Sequence, residues 1–257
     1  MGKKKMSVEE LESFARKEMT RSAYASKDWG RGWAHAVRLK GYLDELLSCT
    51  ALPQRLVRLL KVAILVHDIR WEQGGNHATA AAKLLDTLEI KGVQEGELAD
   101  VRWAVLNHSR CPGDLPRYDP SRRRDVLLWH LMLLDRLDAM GLMDVFRTID
   151  WQVAVEKRMD SLGAVPAREL RALLAQDQPV THLGDIYLKE ESYLGYLVCS
   201  YLNFHAIFRE LEPRLGEAFY QTVREREQEL GRLIDRMLVC KESNLENNKR
   251  EEAVFFL

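Results

Sequence analysis

A chain of 257 residues with 46% hydrophobic and 30% charged residues, but only 15 glycines and 7 prolines, can bury a core; it is neither disordered nor fibrous in type. The formal net charge of -1 excludes a dominant polyanion-binding surface, since nucleic-acid binders carry a basic excess. The cysteines (Cys49, Cys111, Cys199, Cys240) lie far apart without a CxxC pair, which excludes a disulfide framework and a thiolate zinc site and fits a reducing compartment.

The opening MGKKK turns acidic and polar at Ser7-Val8-Glu9-Glu10 without the apolar stretch of a secretory signal. The longest apolar runs, such as the one from Val126 to Leu134, fall far short of the ~20 residues of a membrane span. The expectation is a cytoplasmic protein with no membrane partner. Ser7 and Glu10 form a predicted capping box for a helix reaching about residue 20. After the break at Asp28-Trp29-Gly30-Arg31-Gly32, the residues Trp33, Val37, Leu43, Leu46 and Leu47 recur at helical spacing, and His35 rides on that helix.

Pro53 opens a third predicted helix whose last stretch, Val62-Ala63-Ile64-Leu65-Val66, is apolar on every side and ends at His67-Asp68. Gly74-Gly75 breaks the chain, and His77 stands near the first turn of a helix rich in alanine. A helix over about 97–108 ends at His108, and the prolines of residues 111–120 follow as a loop. Arg117 with Arg122, Arg123 and Arg124 is the densest basic patch, read first as a solvated loop or helical turn and second as phosphate capture. A strongly apolar helix over about 126–140 then carries Asp135 in its second half, with Gly141 as its stop. Beyond residue 151 the pattern is helical, with no cluster of metal-ligand or nucleophile type, and no strand alternation is found anywhere. The domain reading is a helical core with the site over 1–150, a helical extension over 151–240 in the same globular unit, and a polar, frayed tail over 241–257.

His67 and Asp68 follow a segment that reads as fully buried, where an ionised carboxylate is costly unless paired or bound to a metal. Neighbouring helical residues point about 100° apart, so this pair reaches one partner only near a helix end. His35 is followed at helical spacing by Arg38, and Leu133-Leu134-Asp135-Arg136-Leu137-Asp138-Ala139-Met140-Gly141 sets further acids on an otherwise buried helix.

The order His35, His67-Asp68, Asp135 resembles the pattern of the HD superfamily of metal-dependent phosphohydrolases. The segment from Leu134 to Gly141 is similar to that of its small bacterial branch, and the resemblance covers residues 25–148. It implies an all-α, HD-domain helical bundle with the C-terminal helices packed on it. It also implies one divalent cation held by His35, His67, Asp68 and Asp135, with Asp68 as the catalytic residue, and a second metal or a phosphate at His77 and His108, in which case Asp68 bridges the two ions. The ligand types suit Mn, Fe, Co, Ni, Zn or Mg, as one or two ions. Arg136 is placed to grip phosphate or to pair with Asp138 or another local acid; Asp138 is placed to orient a ligand or help move a proton; Arg38 and Arg147 are read as structural.

Three positions depart from the branch: Leu133 stands where an acid is usual, Gly32 replaces another, and no Thr-x-Glu occurs in residues 121–129. The expected function is hydrolysis of a phosphate ester or anhydride, first of a nucleotide, by a metal-activated water. Cyclic-nucleotide or phosphodiester cleavage is the alternative within the class, and a silent metal- or nucleotide-binding module is the alternative outside it. The expected partner is a small phosphorylated molecule, with oligomers formed through the C-terminal helices and no nucleic-acid surface.

Overall fold

The computed structural model describes residues 3–21, 32–69, 77–139, 165–181 and 193–255, the side chains of 21, 193 and 244–255 excepted. The fold is all-helical apart from one small sheet. Among the described residues the elements run β1 (Lys4–Met6), α1 (Val8–Arg21), α2 (Trp33–Cys49), α3 (Gln54–Val66), α4 (His77–Leu85), β2 (Leu88–Ile90), α5 (Glu95–Asn107), α6 (Arg123–Ala139), α7 (Ala167–Gln176), α8 (Tyr193–Leu211) and α9 (Glu217–Phe255).

The chain divides into two compact units that interleave along the sequence. One comprises 1–110, 116–139 and 207–222; the other comprises 111–115, 140–206 and 223–257. The expected boundary near residue 150 and the helix stop at Gly141 lie outside the described residues.

In the first unit, the predicted capping box starts α1. The Ser7 amide donates to Glu10 Oε2 at 2.6 Å, and the Glu10 amide donates to Ser7 Oγ at 3.2 Å. Leu11, Ala15 and Met19, four residues apart, form its buried face. The inward face of α2 is Ala36, Leu39, Leu43 and Leu46 rather than the stripe read through Val37, which is 46% exposed. Gly32 caps α2 at φ 72°, a left-handed conformation that glycine adopts without Cβ strain.

The centre of the unit is α3, preceded by Pro53 and buried at Val57, Leu59, Leu60 and all of Val62 to Val66. It packs against α1, α2, α5 and α6, so apolar residues face neighbours all round the helix. Truncating Leu60, fully buried there, would cost about 2–5 kcal/mol in lost burial plus cavity. On α6 the run from Leu127 to Leu134 is buried in the same way, Leu133 included; the usual branch acid is here a core leucine.

Three findings differ from the sequence reading. β1 and β2 pair in parallel with Lys4 opposite Leu88 and Met6 opposite Ile90; strands of three residues are too short to show alternation. α5 begins at Glu95, two residues before the predicted start, because Gln94 and Glu97 form a second capping box. The backbone of 241–257, read as a polar tail, stays helical through Phe255, in keeping with a segment rich in Glu, Lys and Arg.

In the second unit, Asn203 of α8 accepts the Val180 amide at 3.2 Å and lies 3.4 Å from Cys199 Sγ. Arg171 of α7 pairs bidentately with Glu242 of α9 at 2.7 and 3.0 Å.

Candidate metal centre

Each site residue is delivered by a helix of the first unit, and most stand at a helix end. His35 lies in the first turns of α2, His67 caps the C-terminus of α3 with Asp68 next, His77 begins α4, and His108 caps α5. Asp135 and Asp138 share one face of α6, three residues apart. His35, His67, Asp68, His108 and Asp138 are buried.

Local hydrogen bonds set the imidazoles. The last carbonyls of a helix lack intrahelical partners, and His67 Nδ1 donates to one of them, Ile64 O, at 2.9 Å. His108 repeats the arrangement on Val105 O at 2.7 Å. His35 Nδ1 donates to Asp138 Oδ2 at 2.7 Å, and Arg38 holds the same carboxylate through Nε and Nη2 at 2.6 and 2.7 Å. With Nδ1–H committed in all three rings, each turns Nε2 inward, the orientation a metal ligand needs.

Those nitrogens converge with two carboxylates. His35 Nε2 lies 3.1 Å from His67 Nε2, 3.2 Å from Asp135 Oδ1 and 3.8 Å from Asp68 Oδ2. His67 Nε2 is 3.8 Å from Asp68 Oδ2 and 3.9 Å from Asp135 Oδ1. The other oxygen of Asp68, Oδ1, faces His77 Nε2 at 3.4 Å and His108 Nε2 at 3.7 Å, and those two nitrogens are 3.4 Å apart. Two donor groups thus overlap: His35, His67 and Asp135, and His67, Asp68 and His108. Ligands about 2.1 Å from a divalent ion stand roughly 3 to 3.5 Å from one another, so the spacing suits a cation.

The electrostatics make the same point. Burial works against the charged form of His35, but the hydrogen bonds to Asp135 and Asp138 and the charges of Asp135 and Asp68 overcome it and raise its pKa to about 10. Burial lowers His67 to about 4, against the opposing charge of Asp68. Burial also opposes ionisation of Asp68 and Asp135, yet the surrounding imidazoles hold both carboxyls below their ordinary range. His108 is raised, burial being outweighed by Asp68 and Asp135. Among the described residues three carboxylates, Asp68, Asp135 and Asp138, gather here and one guanidinium, that of Arg38, pairs with Asp138, so the site calls for positive charge, which a proton on His35 or a metal ion can supply.

The structure therefore brings His35, His67, Asp68, His77, His108 and Asp135 together, with Asp138 directly behind His35. Arg136 does not pair with Asp138, whose oxygens serve Arg38 and His35; its buried Nε has no hydrogen-bond partner. Arg147 lies outside the described residues. In the basic patch Arg122 pairs with Asp119, Arg123 with Asp100 and Glu97, and Arg124 lies over the Trp103 ring, which agrees with a solvated helix start. The positioning role of Arg38 and the carbonyls of Ile64 and Val105 escaped the sequence; only the His-x-x-Arg spacing hinted at the first. In the second unit His205 lies between Asp177, 3.0 Å from Nε2, and Glu227 on Nδ1, a cluster of distant residues that left no local motif. Both of its ring nitrogens are engaged by carboxylates.

No protein-family model matches the sequence, and no curated protein matches it. Among solved structures, an HD-superfamily hydrolase from Bacillus thuringiensis is similar, with a TM-score of 0.47 and 15% identity over 92% of this chain and 96% of that one. Neither activity nor substrate follows from a likeness at that level.

Proposed function

We propose that the chain is a metal-dependent phosphohydrolase that removes phosphate or pyrophosphate from a nucleotide. The observation that carries this reading is the layout around Asp68, which turns one oxygen toward His35 and His67 and the other toward His77 and His108. Such mixed imidazole and carboxylate donors suit one or two divalent ions among Mn, Fe, Co, Ni, Zn and Mg. When bound, the ion acidifies a water toward neutral pH and offsets charge on phosphoryl oxygens.

The protein's own residues do the rest. His35, His67, Asp68 and Asp135 hold the first ion, and Asp68, His77 and His108 hold the second. Asp68 is the catalytic residue of this reading because it touches both positions. Arg136, beside Asp135 and with its buried Nε lacking an acceptor, is suited to a phosphate oxygen, and a guanidinium binds such oxygens in pairs. Asp138 orients His35. Nucleotide as substrate rests on the resemblance of Leu134 to Gly141 to small bacterial HD hydrolases. Among the described residues no helix is long and apolar enough to cross a membrane, and no disulfide joins the four cysteines, which suits a cytoplasmic enzyme.

The test is metal content together with a substrate panel. Protein purified with Mn or Co should carry bound ion that His67→Ala and Asp68→Ala lose, and His77→Ala or His108→Ala should lower a count of two toward one. Nucleoside mono-, di- and triphosphates, cyclic dinucleotides and an aryl phosphodiester then serve as substrates. Chelator-sensitive phosphate release from the first group is expected; retained metal in both His67→Ala and Asp68→Ala overturns the site, and silence across the panel overturns the activity.

A further inference from the structure

A second concave site lies in the first unit at the other end of α3. It is an open groove of about 790 Å³ between the N-terminal half of α3, the β1–β2 sheet and the turn after β2, within the range of small-molecule sites, roughly 300–1,000 Å³. None of its lining residues belongs to the metal centre. Lys61, the nearest cation on α3, stands six residues before His67, or about 9 Å along the helix axis.

The lining is basic. Five cations, Lys5, Arg55, Arg58, Lys61 and Lys91, line it with two acids, Glu9 and Glu89, while Glu10 and Glu97 reach cations of the lining from outside it. Lys5 is paired with Glu89 at 2.8 Å, Arg55 with the buried Glu97, and Lys91 reaches Glu10 at 3.5 Å. Arg58, exposed, donates to the Gly92 carbonyl at 3.2 Å and lies in the field of Glu9 without a direct ion pair, and Lys61, half-buried, has no ion-pair partner among the described residues. Arg55, Arg58 and Lys61 recur every third residue, so one side of α3 presents a row of cations to the groove while the other sides are core.

Gly92 explains how the opposite wall comes so close. Its φ of 77° turns the backbone so that its carbonyl faces Arg58, and a Cβ there would lie 2.6 Å from Arg58 Nη1. The apolar floor, Val57 and Ile90, is almost fully covered, and no aromatic ring lines the groove, so nothing in it would stack on a base or sugar.

The geometry points to a phosphate-chain site: this groove binds a compact anion carrying two or more linked phosphates, held by Arg58 and Lys61 with Lys91 and Arg55 at its rim. The ligand is recognised by its phosphates, whether free inorganic polyphosphate or the tail of a nucleoside triphosphate. Binding needs no metal at His67 and Asp68, and it stands or falls separately from the hydrolytic reading.

Calorimetry with inorganic tripolyphosphate, in chelator so that the metal centre is out of play, tests it. The intact protein should bind with an affinity that falls as salt rises. Arg58→Ala combined with Lys61→Ala should weaken binding at least tenfold while circular dichroism and metal content stay unchanged, and His67→Ala should bind as tightly as the intact protein. Nucleoside triphosphate bound no more tightly than tripolyphosphate supports recognition of the chain alone; much tighter binding that the double variant also loses supports the nucleotide as source. No binding of either, equal binding by the double variant, or loss of binding in His67→Ala overturns the proposal, as does oligonucleotide binding without tripolyphosphate binding.

Discussion

Asp138 Oδ2 accepts the Nδ1–H of His35 at 2.7 Å, and that single bond decides which nitrogen of the ring faces the site. Asp138 is itself held by Arg38, so orientation passes from Arg38 through Asp138 to His35. Asp138→Asn keeps the size but removes the charge and turns one acceptor into a donor, facing either the guanidinium or the imidazole N–H. Metal affinity should fall about 10- to 100-fold with the fold intact. Titration of Mn or Co into the apo variant measures it, and an unchanged Kd would show that Asp138 positions nothing.

Metal binding should release protons. His35, raised to about 10, is charged at neutral pH, and a ligand must be neutral. Affinity should therefore climb from pH 6 to 9, with proton release visible as a buffer-dependent heat in calorimetry. Heat that is the same in buffers of different ionisation enthalpy would argue against a protonated His35.

The stability of the apo protein should peak near pH 6.5. The folded pKa of His35 lies above the ordinary histidine value of 6.5, so its contribution is complete below 6.5 and fades as pH rises toward 10. His67 runs the other way: lowered to about 4, it contributes fully above 6.5 and loses that as pH falls toward 4. Thermal melts of chelated protein across pH 5 to 9 should give a maximum between, and His35→Gln should flatten the alkaline side.

Asp125 carries a cost that a neutral side chain should remove. It is 2% exposed, neither carboxylate oxygen has a hydrogen-bond partner, and burial raises its pKa against the pull of Arg124 and Arg122. A raised carboxyl gives its full stability only below the unfolded value and loses it as pH rises. Asp125→Asn should stabilise by about 1 kcal/mol at pH 7, with the gain vanishing below pH 4. Denaturant unfolding at the two pH values decides; a variant less stable at pH 7 would mean that its charge is compensated.

Gly216 has no room for a side chain. A Cβ there would lie 2.0 Å from the Cys49 carbonyl oxygen, and its amide already donates to Thr50 Oγ1 at 2.7 Å. Gly216→Ala should cost about 3 kcal/mol through backbone displacement, read as a lowered Tm. Near-native stability would show that this contact yields freely.

The helices were legible because burial imprints a period on them. In α3 and α6 apolar runs end at, or are interrupted by, His67, Asp68 and Asp135, and those interruptions marked the site. Val37 misled, since one apolar residue on the wet side of α2 shifts the apparent face by a third of a turn. What stayed hidden depends on backbone or on distance. Ile64 and Val105 act through carbonyls that every residue owns; Arg38 meets Asp138 across 100 positions; β1 and β2 lie more than eighty residues apart with three residues each. The cationic side of the groove was hidden because Arg55, Arg58 and Lys61 are separated by core residues of α3, while Lys5 and Lys91 come from distant stretches.

His67 and His108 each close a helix with the ring nitrogen that also fixes their tautomer. Winding the last turn of α3 or α5 and aiming a ligand are thus one event. Ions held by the two rings would act as latches on two helix ends, so fraying of either end should release its ion, and loading should slow hydrogen exchange in turns that touch no ion.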